Sequence, residues 1–327
     1  MPRMRLQGVW LISVVWSLGC GSAATSAPSA GSAAPGGSAA VPEAVPVTAA
    51  LPVAAAPEQP AATVPAATAP AAAPAVTRGP PADATIVEYA PGRRGFLYRP
   101  DGAGPFPVVV WNHGSEQTPG WQPALAHFYV GHGWAFFLPH RRGHGGSQGT
   151  WIGNEHDTAK QAALQDEHNE DVVAAIGWIK TQPAIDPSRV VVSGCSFGGI
   201  QTMIVAAKDV GIRAAVPFAA GAILWKHSAE VRERLTRAAR ESKVPVFLVQ
   251  AENDYDLGPS RVAGAVLEKA GPGRNRVHVY PPYGTTVMDG HGGFCTKGFD
   301  IWGGDVLAFL DRAMKATNTG PAASPRR

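Results

Sequence analysis

The tightest constraint on this chain is one short junction. An apolar run, Arg189 to Ser193 (RVVVS), enters Gly194-Cys195-Ser196-Phe197-Gly198-Gly199 and leaves straight into helix-forming residues from Ile200 to Ala207. A G-x-S-x-G run between a strand and a helix is the pattern of a sharp, strained turn that lifts a serine hydroxyl out of the sheet edge. Gly194 and Gly198 stand where a side chain would collide with the crossing backbone. The helix that follows places the Phe197 N–H, and a partial positive charge, beside negative charge developing at Ser196. Ser196 is therefore the candidate nucleophile.

The surrounding runs set the architecture. Phe106 to Trp111, Trp134 to Leu138, Ala214 to Phe218, Val244 to Gln250 and Arg276 to Tyr280 are apolar runs of strand length. Helical spacing marks residues 123–130, Lys160 to Lys180, 226–242, 259–270 and 304–315 between or after them. Strands apolar throughout that alternate with helices imply an α/β fold with a mostly parallel sheet covered on both faces. Only one helix fits between Phe218 and Val244, so no large cap domain is expected.

Three segments resemble a known family: the Asn112-His113-Gly114-Ser115 turn, the Arg142-Gly143-His144-Gly145-Gly146-Ser147 loop and the elbow at Ser196. Together they resemble an α/β-hydrolase of the dienelactone-hydrolase-like and prolyl-oligopeptidase-like serine esterase group, over roughly residues 85–316. Dienelactone hydrolases use a cysteine nucleophile, so Ser196 points to a serine esterase instead.

In such a fold the triad follows in the order serine, acid, histidine. Only His227, His278 and His291 follow Ser196. His227 precedes the penultimate strand, and His278 lies inside RVHVY, a strand position. His291 sits in Asp289-Gly290-His291-Gly292-Gly293-Phe294 after the last strand, read as a flexible glycine loop, and is the expected base. The acid is expected after VPVFLVQ, where Ala251-Glu252-Asn253-Asp254 resembles the family's Gly-x-x-Asp. Asp254 is the choice, with Asp256 next. A calcium loop is excluded by Leu257, where an EF-hand needs glycine. The resemblance places the oxyanion donors at Phe197 and Ser115, with His113 a structural residue. Trp151 and Trp225 are candidates for lining the acyl or alcohol pocket, with core filling as the alternative.

Other features carry less. Gly143, Gly145 and Gly149 miss the G-x-G-x-x-G spacing by one residue. The acids around His168 read as a solvated helix face rather than a metal site, so no metal and no cofactor are expected. A net charge of +3 without a basic cluster argues against nucleic acid.

The N-terminal region reads differently from the rest. Two arginines within Met1 to Arg5, an apolar run from Val9 to Leu18 and small residues after it form a secretory signal over residues 1–20. Ser17-Leu18-Gly19-Cys20 resembles a bacterial lipoprotein lipobox, which implies lipidation at Cys20 and a membrane tether on the exported side. More than half of residues 21–80 are Ala or Pro and none is aromatic, which suits a disordered linker. The catalytic domain is expected at 81–316 and a disordered tail at 317–327. No second apolar run approaches ~18 residues, which excludes a polytopic membrane protein.

With Cys20 lipidated, Cys195 and Cys295 remain of the 3 cysteines. Their placement is similar to tannase and feruloyl-esterase proteins, where a disulfide ties the serine and histidine loops, although there the second cysteine adjoins the histidine. A bridge and two separate buried thiols both remain open. If the bridge forms, the three glycines around His291 imply that reduction removes activity before it unfolds the domain.

The expected function is a secreted, membrane-tethered carboxylic-ester hydrolase acting through Ser196, Asp254 and His291, with an ester as its partner. The alternatives are a peptidase of the prolyl-oligopeptidase type and a non-catalytic binding module that keeps the hydrolase fold. Oligomeric state is not legible.

Overall fold

Alternation of side chains along the central strands decides the layers. In Phe106–Asn112 (β3), Val108 and Val110 face one side of the sheet while Val109 and Trp111 face the other, and all four are buried. A strand buried on both faces needs helices on both. Leu125, Ala126 and Tyr129 of Pro123–Gly131 (α1) and Trp302, Val306 and Phe309 of Phe299–Lys315 (α7) cover the Trp111 side. Val172, Ile176 and Ile179 of Thr158–Ile179 (α2) cover the Val108 side. Beside α2 on that side, Phe197–Ala206 (α3), Ala229–Glu241 (α4) and Gly264–Ala270 (α5) contribute Ile200, Met203, Val231, Leu235 and Leu267.

The computed structural model describes residues 81–315 apart from 82, 156 and 157. The signal, the lipidation site Cys20, the Ala/Pro-rich linker and the 317–327 tail lie outside the described residues. No helix among the described residues is long and apolar enough to cross a membrane.

Eight strands form one sheet in the order β1-β2-β4-β3-β5-β6-β7-β8. These are Thr85–Ala90, Arg93–Tyr98, β3, Ala135–Pro139, Ile185–Cys195, Ala214–Phe218, Phe247–Ala251 and Arg276–Tyr280 in chain order. From β4 to β8 every neighbouring pair is parallel, while β1 and β2 add to the β4 edge antiparallel. The apolar runs mark β3 to β8 and leave β1 and β2 unmarked. β2 opens on Arg93-Arg94-Gly95, and three of the six residues of β1 are exposed, so neither presents a continuous apolar signal.

Between β6 and β7 the described chain holds α4 and a turn, with no cap domain.

Two local readings are corrected. Asp289–Gly293, expected as a flexible loop, is a π-helical turn that runs into Phe294–Lys297 (α6). Gly290 is buried there, where an added Cβ would lie 2.3 Å from Asn253 Oδ1. Close packing, rather than conformational freedom, explains that glycine. The second correction concerns the acidic cluster of α2. Asp166, Glu167 and Glu170 are exposed, but His168 and Asp171 turn inward. Asp171 accepts from Arg93 Nε at 3.0 Å, and from Arg142 N at 2.7 Å and Nη2 at 2.9 Å. Against the upward push of burial, the Arg142 bonds hold its carboxyl below the ordinary value. His168 is buried against the Phe197 ring, and burial with the nearby Arg141 charge pushes it down to about 2, so it is neutral. The acidic residues on either side conceal this from a reading by composition.

Candidate active site

Ser196 sits between the end of β5 and the start of α3 with φ 58° and ψ −116°, a conformation that costs a non-glycine residue of order 1–3 kcal/mol. Its backbone N–H donates to Phe218 O of the neighbouring strand at 3.0 Å, which helps hold the turn closed. The glycines are required by neighbours. A Cβ on Gly194 would lie 2.6 Å from Asn112 O, and one on Gly198 would lie 2.0 Å from the same oxygen and 2.4 Å from His113 O. These are backbone atoms that no rotamer change can move. Gly198→Ala should therefore destabilise the fold by about 3 kcal/mol or more, read as the midpoint of urea unfolding. A midpoint equal to that of the parent would contradict this close approach.

Asp254 and His291 meet across the ends of β7 and β8. Asp254 Oδ1 accepts from His291 Nδ1 at 2.7 Å, with both residues buried. The second carboxylate oxygen accepts from Gln250 Nε2 at 2.8 Å, and Tyr255 N donates to Oδ1 at 2.7 Å. A carboxylate accepting at Nδ1 leaves the lone pair of the neutral ring on Nε2. That atom is buried with no hydrogen-bond partner among the described residues, and His291 and Ser196 line the same cleft. Asp256, the second choice for the acid, is engaged elsewhere: its Oδ1 takes the Gly258 N–H at 2.6 Å and its Oδ2 lies 3.4 Å from Lys226 Nζ.

The segment carrying His291 is anchored from below. Asn253 Nδ2 donates to Tyr283 O and Thr286 O, each at 2.9 Å, and Asn253 Oδ1 accepts from Tyr283 N at 2.9 Å. Asp289 Oδ2 caps the same turn through Thr285 N, Thr286 N and Thr286 Oγ1. From the elbow side, a disulfide joins Cys195 to Cys295. The open cysteine question is thus answered by the geometry, with α6 carrying Cys295 back to the elbow.

The Asn112–Ser115 turn is held by a residue that sequence reasoning passed over. Arg141 is fully buried, and its Nη2 donates to His113 O at 2.7 Å and Gly114 O at 2.8 Å. Burial pushes its pKa down to about 10, which leaves it charged at neutral pH. Arg141 N–H donates to His113 Nε2 at 3.2 Å, so His113 carries its proton on Nδ1 and donates it to Gly114 O at 2.9 Å. Burial, with the Arg141 charge, keeps His113 well below its ordinary pKa, in keeping with the structural role expected of it. Trp151 Nε1 donates to Ser115 O at 2.8 Å and its ring lines the cleft, whereas Trp225 is buried in the core. The Phe197 N–H belongs to the first turn of α3 and has no acceptor within the helix. Ser115 lines the cleft beside Ser196.

No sequence signal marks Asn253, Gln250 or Arg141. Arg141 and Asn253 act on backbone groups about 30 residues away in the chain, and Gln250 acts on the Asp254 carboxylate.

A strained serine after a central parallel strand and a histidine–carboxylate pair lining the same cleft are groups that can support nucleophilic acyl transfer. The fold is that of the α/β-hydrolases, and the comparisons point the same way. Residues 96–256 match the family model for X-Pro dipeptidyl-peptidase (S15 family). The quorum-quenching protein AidA of Acinetobacter baumannii (strain MDR-ZJ06) is 32% identical over 130 residues, which is 38% of this chain and 40% of that protein. The match thus spans well under half of the curated relative's length. Among solved structures, esterase 2 of Thermogutta terrifontis, phosphoramylated by tabun, is 19% identical with a TM-score of 0.51, covering 71% of this chain and 93% of that one. The acetyl xylan esterase of Paenibacillus sp. R4 is 17% identical with a TM-score of 0.52, covering 70% and 87%. Identities this low show the shared fold.

Proposed function

We propose that the chain is a carboxylic-ester hydrolase acting through Ser196, His291 and Asp254. The observation that carries this is the 2.7 Å bond from His291 Nδ1 to Asp254, which leaves Nε2 free in the cleft that Ser196 also lines. Nε2 takes the Ser196 proton as Oγ attacks the acyl carbon. The Phe197 and Ser115 N–H groups hold the oxyanion of the tetrahedral intermediate. Nε2 then gives the proton to the departing alcohol, and water releases the acyl group by the same steps in reverse. Asp254 keeps the ring in the required tautomer and stabilises the imidazolium. Arg141 and Trp151 fix the carbonyls on either side of the Ser115 N–H, so the oxyanion donor is set before substrate arrives.

The family match favours a second reading, a peptidase that removes X-Pro dipeptides. Such an enzyme must pair the free amino terminus of its substrate with a carboxylate, and Glu116 is the acid lining the cleft. Two assays decide. A fluorophosphonate probe should label Ser196; absence of labelling would favour a binding module that keeps the fold. Turnover of nitrophenyl esters above Xaa-Pro nitroanilides supports the esterase, and the opposite order the peptidase. Asp254→Asn should lower ester turnover by roughly 10³-fold or more, because the ring then loses its tautomer control. Asp256→Asn should change it by only a few fold. If Asp256→Asn is the more damaging change, the acid is wrongly assigned.

Export and a lipid anchor at Cys20 complete the proposal, supported by the basic, apolar and small-residue order of residues 1–20. Intact-mass analysis of the mature chain should show added acyl mass on Cys20 as its first residue, and an unmodified Cys20 would reject the anchor.

A further inference from the structure

Two cavities meet at Ser196. The larger, about 530 Å³, is lined by His291, Trp151, Gln122, Met288 and Thr296 among others. The smaller, about 200 Å³, runs the other way, over Phe197, Ile200, Gly221 and Leu224. Ser115, Ser196 and Ile223 line both. Chemistry assigns the two arms. His291 has to protonate the departing alcohol, so the alcohol occupies the arm that His291 lines. The acyl group then takes the smaller arm.

That arm is mostly apolar, but Gln161 and Gln165 of α2 also line it. Gln165 is 5% exposed, and its side-chain Oε1 is buried with no hydrogen-bond partner among the described residues. A buried amide oxygen left unpaired is costly, and such groups in folded proteins are nearly always satisfied. The neighbouring amide donors are committed otherwise: Gln201 Nε2 donates to the backbone oxygen of Gln165 at 3.1 Å, and Asn169 Nδ2 to Gln201 Oε1 at 2.8 Å, while the His168 ring nitrogens are themselves without a partner among the described residues. The size of the arm is also informative. A dry cavity of ~150 Å³ holds a benzene ring, so this one takes a short acyl group of roughly six to eight heavy atoms.

We infer that Gln165 is a specificity-determining residue, and that the preferred acyl group is short, largely apolar and carries a hydroxyl that donates to the Gln165 amide. The inference rests on the ester-hydrolase reading and narrows its substrate class. An apolar acyl group would fill the arm but leave Oε1 unpaired in the complex, which penalises it against the hydroxylated isostere.

The test compares nitrophenyl esters in matched pairs, pentanoyl to heptanoyl, each against the acyl group whose terminal methyl is replaced by hydroxyl. In the parent protein kcat/KM should favour the hydroxyl member by about 10-fold at the chain length that reaches Gln165. In Gln165→Leu that ratio should fall by ~10- to 100-fold, to parity or in favour of the methyl member. Because it is a ratio between two substrates of one protein, partial loss of folded material does not alter it, and Gln165→Met supplies the same reading if Gln165→Leu folds poorly. A parent that prefers the methyl member at every length, or a Gln165→Leu ratio equal to that of the parent, overturns the inference while leaving the esterase standing. Absence of turnover for both members of every pair would instead reject the ester-hydrolase reading, and this inference with it.

Discussion

Replacing Ser196 or His291 by Ala should lower ester turnover by about 10⁴-fold or more, and the double variant should lose little beyond either single one. Nucleophile and base act as a unit, so removing one leaves the other without a task. What survives is the part of catalysis that needs neither, the oxyanion donors and substrate binding. The prediction is sharp because few groups can substitute. Ser196 is the residue on the strained turn, and His291 Nε2 is the buried, unpartnered ring nitrogen in the cleft. His113 and His144 lie nearby, but burial keeps both well below their ordinary pKa and both bond into the Arg141 network or the Glu116 carbonyl. The measurement is kcat/KM on a nitrophenyl ester for protein with the same urea midpoint as the parent. Retention of most activity in Ser196→Ala would refute the assignment, and a double variant far below both singles would refute the coupling.

The second large effect is on stability. The Cys195–Cys295 bond joins residues 100 apart in sequence. For a closed loop of that size the chain-entropy model gives up to ~4.7 kcal/mol, a shift in Tm of up to roughly 10–20 °C for a domain of this size. Reduction, or the double change Cys195→Ala with Cys295→Ala, should lower the unfolding midpoint accordingly. Activity should behave differently from what the glycines of the His291 segment suggest. Gly290 is packed against Asn253, and Asn253 and Asp289 together hold the turn through six hydrogen bonds, so His291 keeps its place without the bridge. Activity of the reduced protein, measured well below its new midpoint, should stay within a few fold of the oxidised form. Loss of activity with the fold intact would mean that the bridge, rather than Asn253, positions the histidine. An unchanged midpoint, with thiol titration confirming reduction, would show that the bridge contributes little.

The elbow was legible in the sequence because its requirements are local. A strand, two glycines at fixed offsets and a helix start all lie within the dozen residues around Ser196, and each is set by sterics along the chain. The order of the apolar runs carried the parallel sheet for the same reason, since a strand buried on both faces must be apolar throughout. β1 and β2 escaped because an antiparallel edge pair with a wet face has no such continuous signal. His168 and Asp171 were misread because helical position, rather than local composition, decides which acids face water and which face Arg93 and Arg142.

Chain order narrowed the histidine to His291 and the acid to a loop with Asp254 and Asp256, and could go no further. Which carboxylate reaches the ring depends on how the ends of β7 and β8 are set side by side, a relation between segments 37 residues apart. The same holds for the bridge, the Arg141 clamp and the placing of Gln165 beside the smaller cavity. Sequence by itself determined the residues whose roles follow from neighbours along the chain: the strained serine, its flanking glycines and the order of strands and helices. Tertiary structure alone decided partners. A hydrogen bond or a cavity wall needs groups within about 3 to 4 Å in space, and that proximity is created only when the sheet brings the strand ends together.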